Sequence, residues 1–327
     1  MMKKSVLIAM LAALVAISAG AQNVERKTYT YTHRGETEMQ LDLYTTSSEA
    51  EPCMVYVFGG AFLAGSRGEK GLIEVYEYFA RRGWKVVAID YRLGLKPLLD
   101  NPEEKRSILD FRSMLMDAVN MAAEDLLDAT AYLVANAEQL GIDADRIVTM
   151  GSSAGGIAVC QAEWAICNSQ PMAAMLPADF NYAGVISMAG AVMAKGRTLS
   201  WERTPCPLLL FHGNADKNVP YGRQSLLGVS LFGSEAISSS LVQMDVPHWF
   251  YDANNRGHSM SWRPMYECRD VIENFTRRLA FGGEKTVVHQ WVDDTTLPDV
   301  DTDFGLLTYI KSNFGKREPN ELEIIMD

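Results

Sequence analysis

The chain has 327 residues, 48% of them hydrophobic and 22% charged, a balance that supports a sizeable buried core and excludes global disorder. Basic residues number 30 and acidic residues 41, for a net charge of −11. A grip on nucleic-acid phosphates or on an anionic membrane surface would work against that charge, so nucleic acid is not an expected partner.

The N-terminus carries Lys3 and Lys4, an uninterrupted apolar run from Val6 to Ile17, and the small-x-small triplet Ala19, Gly20, Ala21. This pattern predicts a cleavable secretory signal cut after Ala21, and with it a periplasmic or secreted protein. As a helix the apolar run would extend about 18 Å, short of the ~30 Å hydrocarbon core, so no stable membrane anchor is expected. The residue exposed by the cut is Gln22, which lacks the thiol that lipid attachment requires.

After the signal, 27–32 and 38–44 alternate polar with apolar residues and predict an edge hairpin. The short β-rich runs at 54–58, 85–91, 147–150, 183–188 and 207–211 are mostly too continuously apolar for a half-exposed sheet and suit strands covered on both faces. Between them lie helical patterns, one through Leu72, Val75, Tyr76 and Phe79 and closed by Gly83. A longer one runs through Val119, Ala122, Leu126, Ala129, Leu133, Ala137 and Leu140 and is closed by Gly141. A further helical stretch spans 263–279. Strands alternating with helices imply a mostly parallel central sheet with helices on both faces, an α/β fold. One catalytic domain over 22–283 is the economical reading. Residues 92–116 interrupt the alternation and predict either a small cap over a site or a plain surface excursion. Residues 284–327 are acidic and weakly patterned, and are expected to wrap the domain or fray.

The five cysteines, Cys53, Cys160, Cys167, Cys206 and Cys268, are odd in number and scattered. Cys160 and Cys167 sit about 10 Å apart along one predicted helix, too far for a bridge, and free buried thiols are expected. In the tail, Asp299, Asp301 and Asp303 imitate the start of a calcium loop. Phe304 stands where that loop needs Gly, and Ile310 where it needs Glu, so no metal is expected there.

Chemistry concentrates at Gly151-Ser152-Ser153-Ala154-Gly155, a G-x-S-x-G motif between an apolar strand and a helix-compatible stretch. A turn this tight needs small flanking residues, and it lifts the Ser153 hydroxyl above the sheet with the Ala154 amide free to donate. Upstream, the strand 55–58 ends in Gly59 and Gly60, where bare backbone amides of Gly59, Gly60 or Ala61 could meet a developing oxyanion. Downstream, strand 208–211 runs into a turn that holds Asp216 and is stiffened by Pro220. His258 follows in a glycine-containing loop and completes the chain order Ser, Asp, His, with His248 as its main rival for the role of base.

Taken together, the elbow G-S-S-A-G-G after D-R-I-V-T-M, the strand V-Y-V-F-G-G-A-F, the D-Y-R-L of 90–93, the turn H-G-N-A-D-K-N-V-P and the G-H-S of 257–259 resemble the α/β-hydrolase superfamily. More narrowly they are similar to exported bacterial carboxylesterases of the hormone-sensitive-lipase and feruloyl or acetyl-xylan esterase type, over roughly 52–282. The resemblance implies an α/β-hydrolase fold with Ser153 as nucleophile, His258 as base, Asp216 as acid and the amides of Gly59, Gly60 and Ala154 as oxyanion hole. It implies no cofactor, and a small-molecule or glycan ester as substrate. Such families often read H-G-G-G where this chain has Phe58 and Ala61, which removes a polar anchor from the oxyanion loop. Phe62, Tyr91 and Tyr221 are the residues expected to line the pocket. The competing readings are a serine peptidase of the prolyl-oligopeptidase type and a binding module that has lost its chemistry.

Overall fold

A computed structural model describes residues 23–314 apart from 102 and 105. The predicted signal and its cut after Ala21 lie outside the described residues, as do residues 315–327.

Two antiparallel strands, β1 (Glu25–Arg34) and β2 (Thr37–Thr45), form the expected edge hairpin. Seven parallel strands follow in the spatial order β4 (Lys85–Ile89), β3 (Glu51–Val57), β5 (Ile142–Ser152), β6 (Gly184–Met188), β8 (Leu208–Gly213), β11 (His248–Asn254) and β12 (Val287–Asp293). β2 joins β4 in antiparallel fashion, making a nine-stranded sheet. Every residue of β4, β6 and β8 is buried, as the continuous apolar runs predict for strands with helices on both faces. Each fully buried Val, Leu or Ile there contributes about 1.5–3 kcal/mol. This is the α/β-hydrolase arrangement that the sequence implied.

Helix α1 (Lys70–Ala80) buries Leu72, Val75, Tyr76 and Phe79, the stripe read from the sequence. Helix α2 (Ile108–Ala135) begins earlier than its apolar pattern suggested, because Ser107 and Asp110 cap its start reciprocally: Asp110 N donates to Ser107 Oγ at 3.2 Å and Ser107 N to Asp110 Oδ2 at 2.8 Å. Residues 108–116, expected within a cap or excursion, are therefore the first turns of this helix. Helix α3 (Ala154–Cys167) is buried on every side, packing against α2, β5 and β6, so only Trp164 among its side chains escapes full burial, and its polar Gln161 and Glu163 are buried with the rest.

A second, three-stranded antiparallel sheet, made of β7 (Ala191–Lys195), β10 (Val229–Gly233) and β9 (Arg223–Leu226), was not expected. Helix α4 (Ser234–Gln243) then leads to β11. The stretch 263–279 is interrupted: a short turn at Pro264–Glu267 precedes α5 (Arg269–Phe275), which continues into a π-turn at Thr276–Ala280. Residues 287–293, expected to be part of a wrapping extension, instead add the edge strand β12, and α6 (Leu306–Phe314) follows. All five cysteines are buried and free, as expected.

Candidate active site

The carboxyl ends of β5, β8 and β11 lead into the three loops that carry Ser153, Asp216 and His258. At the elbow, β5 turns into α3 through Ser153, which has φ 53° and ψ −115°. A non-glycine residue holds this left-handed conformation only under local strain. The surroundings impose it: Ser153 N donates to Met188 O at 2.8 Å, and Ser153 O accepts from Ile157 N at 2.8 Å. The glycines of the motif are required by space. A Cβ on Gly151 would lie 2.2 Å from Gly155 O, and one on Gly155 would lie 2.0 Å from Val57 O.

His258 Nε2 lies 2.9 Å from Ser153 Oγ, and its Nδ1 lies 2.7 Å from Asp216 Oδ2. Asp216 is 1% exposed. Its other oxygen, Oδ1, accepts from Asn218 N at 2.7 Å and Val219 N at 3.0 Å, which fixes the carboxylate plane. Burial alone would raise the Asp216 carboxyl. The charge of His258, together with the hydrogen bonds from His212 and His258, outweighs burial and holds the group well below the usual carboxylate range. Asp216 is thus ionised at neutral pH and able to stabilise an imidazolium and fix its tautomer.

Sequence reasoning placed His212 at a strand end but gave it no role. This fully buried imidazole at the end of β8 has Nε2 3.4 Å from Asp216 Oδ2 and 3.3 Å from Val219 O, while Nδ1 meets Ser234 Oγ at 2.8 Å. Asp216 Oδ2 therefore faces two histidines. The signal was present in the sequence, since His212 stands four residues before Asp216 at a strand end. His248, the rival base, is a satisfied core residue at the opposite end of β11: Nε2 pairs with Ser238 Oγ at 2.9 Å and Nδ1 with Val246 O at 2.8 Å.

Gly59 adjoins Ser153, where a Cβ would lie 3.3 Å from Ser153 Cβ, and Gly60 has φ +119°, with a Cβ 2.0 Å from Ala64 O. Gly60 demands glycine, Gly59 leaves only tight room for a side chain, and the Ala154 amide in the first turn of α3 has no intrahelical acceptor. The polar anchor missing from the loop is supplied from elsewhere. Tyr91 Oη donates to Phe58 O at 3.0 Å, Leu95 N donates to Phe62 O at 3.0 Å, and Arg67 links the far end of the loop to Asp42 and Asp90. Arg92 in turn donates to Asp125 through both its backbone N and its Nε, which accounts for the D-Y-R-L run.

Two of the three residues expected to line the pocket are corrected. Phe62 is 2% and Tyr91 4% exposed, and their rings pack edge to face on each other at 6.3 Å, so neither presents a free face to a pocket. Tyr221 is half-buried between His212 and Phe250, with its hydroxyl toward Asp252. Among the described residues no group of three or more His, Cys, Asp or Glu side chains could hold a metal ion.

A serine hydroxyl held by an imidazole that is itself held by a buried carboxylate is an arrangement that can perform acyl transfer. A family model described as the carboxylesterase family matches residues 16–195, which span the oxyanion loop and the elbow. No curated protein matches the chain in sequence. Among solved structures, the chain is similar to a thermophilic esterase, Est2, of the planctomycete Thermogutta terrifontis. In its native form that structure is 19% identical, with 81% of this chain and 96% of that chain covered and a TM-score of 0.53. The same esterase phosphorylated by paraoxon is 19% identical over 78% of this chain and 95% of that one, TM-score 0.53. Its butyrate-bound form is 19% identical over 77% and 94%, TM-score 0.53. At this identity the likeness shows a shared fold.

Proposed function

Since the chain belongs to the carboxylesterase family and is a carboxylic ester hydrolase, we propose that it works through an acyl-enzyme on Ser153, with His258 as base, Asp216 as acid and no cofactor. The observation that carries this reading is the unbroken relay from Ser153 Oγ through His258 to Asp216, at 2.9 and 2.7 Å.

Ser153 Oγ attacks the acyl carbon while its proton passes to His258 Nε2. The imidazolium is held by Asp216 through Nδ1–H. The oxyanion of the tetrahedral intermediate meets the amides of Gly59, Gly60 and Ala154, each such donor lowering the barrier by about 3 kcal/mol. Collapse breaks the ester C–O bond, and His258 Nε2–H protonates the departing alcohol. Water then attacks the acyl-enzyme, gives its proton to His258, and releases the acid and Ser153.

We further propose that the protein is exported, on the strength of Lys3, Lys4, the apolar run 6–17 and the Ala19-Gly20-Ala21 triplet. Small acyl or aromatic esters on glycans are the proposed substrates, a choice that rests on the sequence resemblance. Purified protein given p-nitrophenyl acetate and butyrate beside Ser153→Ala tests the reaction. The variant is expected to lose activity by on the order of 10⁴-fold or more, and equal rates would overturn the assignment of the nucleophile.

A further inference from the structure

The C-terminal segment reaches both loops that carry the acid and the base. At the base loop, Asn254 Nδ2 donates to Asp293 Oδ1 at 2.9 Å, and Arg256 pairs with Asp294 at 2.7 Å. Asn255 Nδ2 donates to Asp299 Oδ1 at 3.2 Å, and its Oδ1 accepts from Val300 N at 3.3 Å. At the acid loop, Lys217 Nζ donates to Asp301 Oδ2 at 3.2 Å. Asn313 Nδ2, on α6, donates to Asn218 O at 2.8 Å. Asn218 is the residue whose N–H holds Asp216 Oδ1.

Asn214 ties the two loops to each other. Its Nδ2 donates to Asn254 Oδ1 at 2.7 Å and its Oδ1 accepts from Asn255 N at 2.8 Å. The far end of the segment is seated by Tyr309, which is 5% exposed and packs its ring against Phe111 of α2 at 6.4 Å and Phe304 at 6.3 Å. The aspartates that imitate a calcium loop are thus answered by protein donors: Asn255 for Asp299, and Lys217 with Asp303 N for Asp301.

We infer that residues 293–313 form a clasp across the acid and base loops, in which Asp299 and Asn313 are positioning residues that set the alignment of Asp216 with His258. The inference rests on the triad proposed above. Most of these bonds are at the surface, where single pairs add little stability. Alignment is far less forgiving, since a displacement of about 1 Å at a reacting group can cost on the order of 100-fold in rate. The clasp's effect therefore belongs in kcat and not in the melting temperature.

The test uses the full chain carrying Asp299→Ala and Asn313→Ala, with p-nitrophenyl butyrate as probe. Expected is a kcat about tenfold lower, with KM and Tm little changed. Restoring the acceptor with Asp299→Asn in place of Asp299→Ala should recover part of the loss. By proton NMR, the low-field signal of the proton between His258 Nδ1 and Asp216 should shift or broaden in the Ala double variant. Should that variant be too unstable to purify, Asn313→Ala alone carries the same expectation. An unchanged kcat with an unshifted proton signal would overturn the clasp. If Ser153→Ala instead matches the wild type, the proposed nucleophile fails, and the NMR signal still decides whether the clasp orients Asp216.

Discussion

The Asp216 oxygen that faces His258 Nδ1 at 2.7 Å also faces His212 Nε2 at 3.4 Å, so one buried carboxylate is shared between the proposed base and a second, fully buried imidazole. Asp216→Asn keeps the shape but can present its amide to Nδ1 and so favour the wrong tautomer of His258. A loss of about 10⁴ in kcat is expected, by analogy with the same substitution in a serine protease. His212→Phe removes the weaker contact and leaves Ser234 without its partner. It should cost about 1–3 kcal/mol in a denaturant melt and reduce kcat far less than Asp216→Asn does. The reverse ranking would mean that His212 is the closer functional partner of the acid.

The strain at Ser153 predicts a trade between stability and chemistry. Ser153→Gly relieves the positive φ of 53° and should raise stability by about 1 kcal/mol while abolishing ester hydrolysis. Gly155→Ala does the opposite: its Cβ would lie 2.0 Å from Val57 O, and a loss of about 3 kcal/mol or outright misfolding is expected. Thermal melts of the two proteins beside the wild type check both signs.

Tyr91→Phe removes the hydroxyl that donates to Phe58 O at 3.0 Å and leaves that buried carbonyl short of a donor. Because Phe58 leads directly into Gly59, the oxyanion amides should lose definition. The expected result is a kcat about tenfold lower with KM nearly unchanged, measured with p-nitrophenyl butyrate. A rise in KM alone would return Tyr91 to the substrate-lining role expected from sequence.

Glu163, buried on α3, sets a pH dependence unrelated to catalysis. Burial raises its carboxyl above the ordinary value, although Cys206 N donates to Oε1 at 2.7 Å and Cys167 Sγ at 3.3 Å; Oε2 is buried without a hydrogen-bond partner. In the unfolded chain the group ionises near pH 4.3, roughly. Above that pH the unfolded state releases a proton that the folded state retains, so Glu163 lowers stability progressively as pH rises. Glu163→Gln keeps the acceptor and removes the titration. The difference in Tm between variant and wild type should grow in the variant's favour as pH rises above the unfolded value and level off once the folded carboxyl ionises, and a difference that is flat from about pH 4 upward would contradict the assignment.

Much of this architecture is legible in residue patterns, and the exceptions have physical causes. The central strands announce themselves because burial on both faces demands unbroken apolar runs such as Leu208 to Phe211. β12 does not, because an edge strand with one face open alternates weakly and its acidic surroundings mask it. The start of α2 was encoded in Ser107 and Asp110, a capping signal independent of the apolar stripe that begins at Val119. At the site, Gly151, Ser153 and Gly155 could be read because a tight turn restricts residue choice. Phe62 and Tyr91 could not be assigned, since a buried aromatic ring and one lining a pocket look alike in sequence. The contacts of 293–313 depend on asparagine and aspartate pairs up to 95 residues apart, for which local patterning holds no signal.

The most direct test of the central claim is covalent capture. The full chain is treated with a fluorophosphonate and its peptides are mapped by mass spectrometry. A single adduct on Ser153 that tracks loss of esterase activity and is absent from Ser153→Ala is predicted. An adduct on another serine, or full inactivation with Ser153 unmodified, would contradict it.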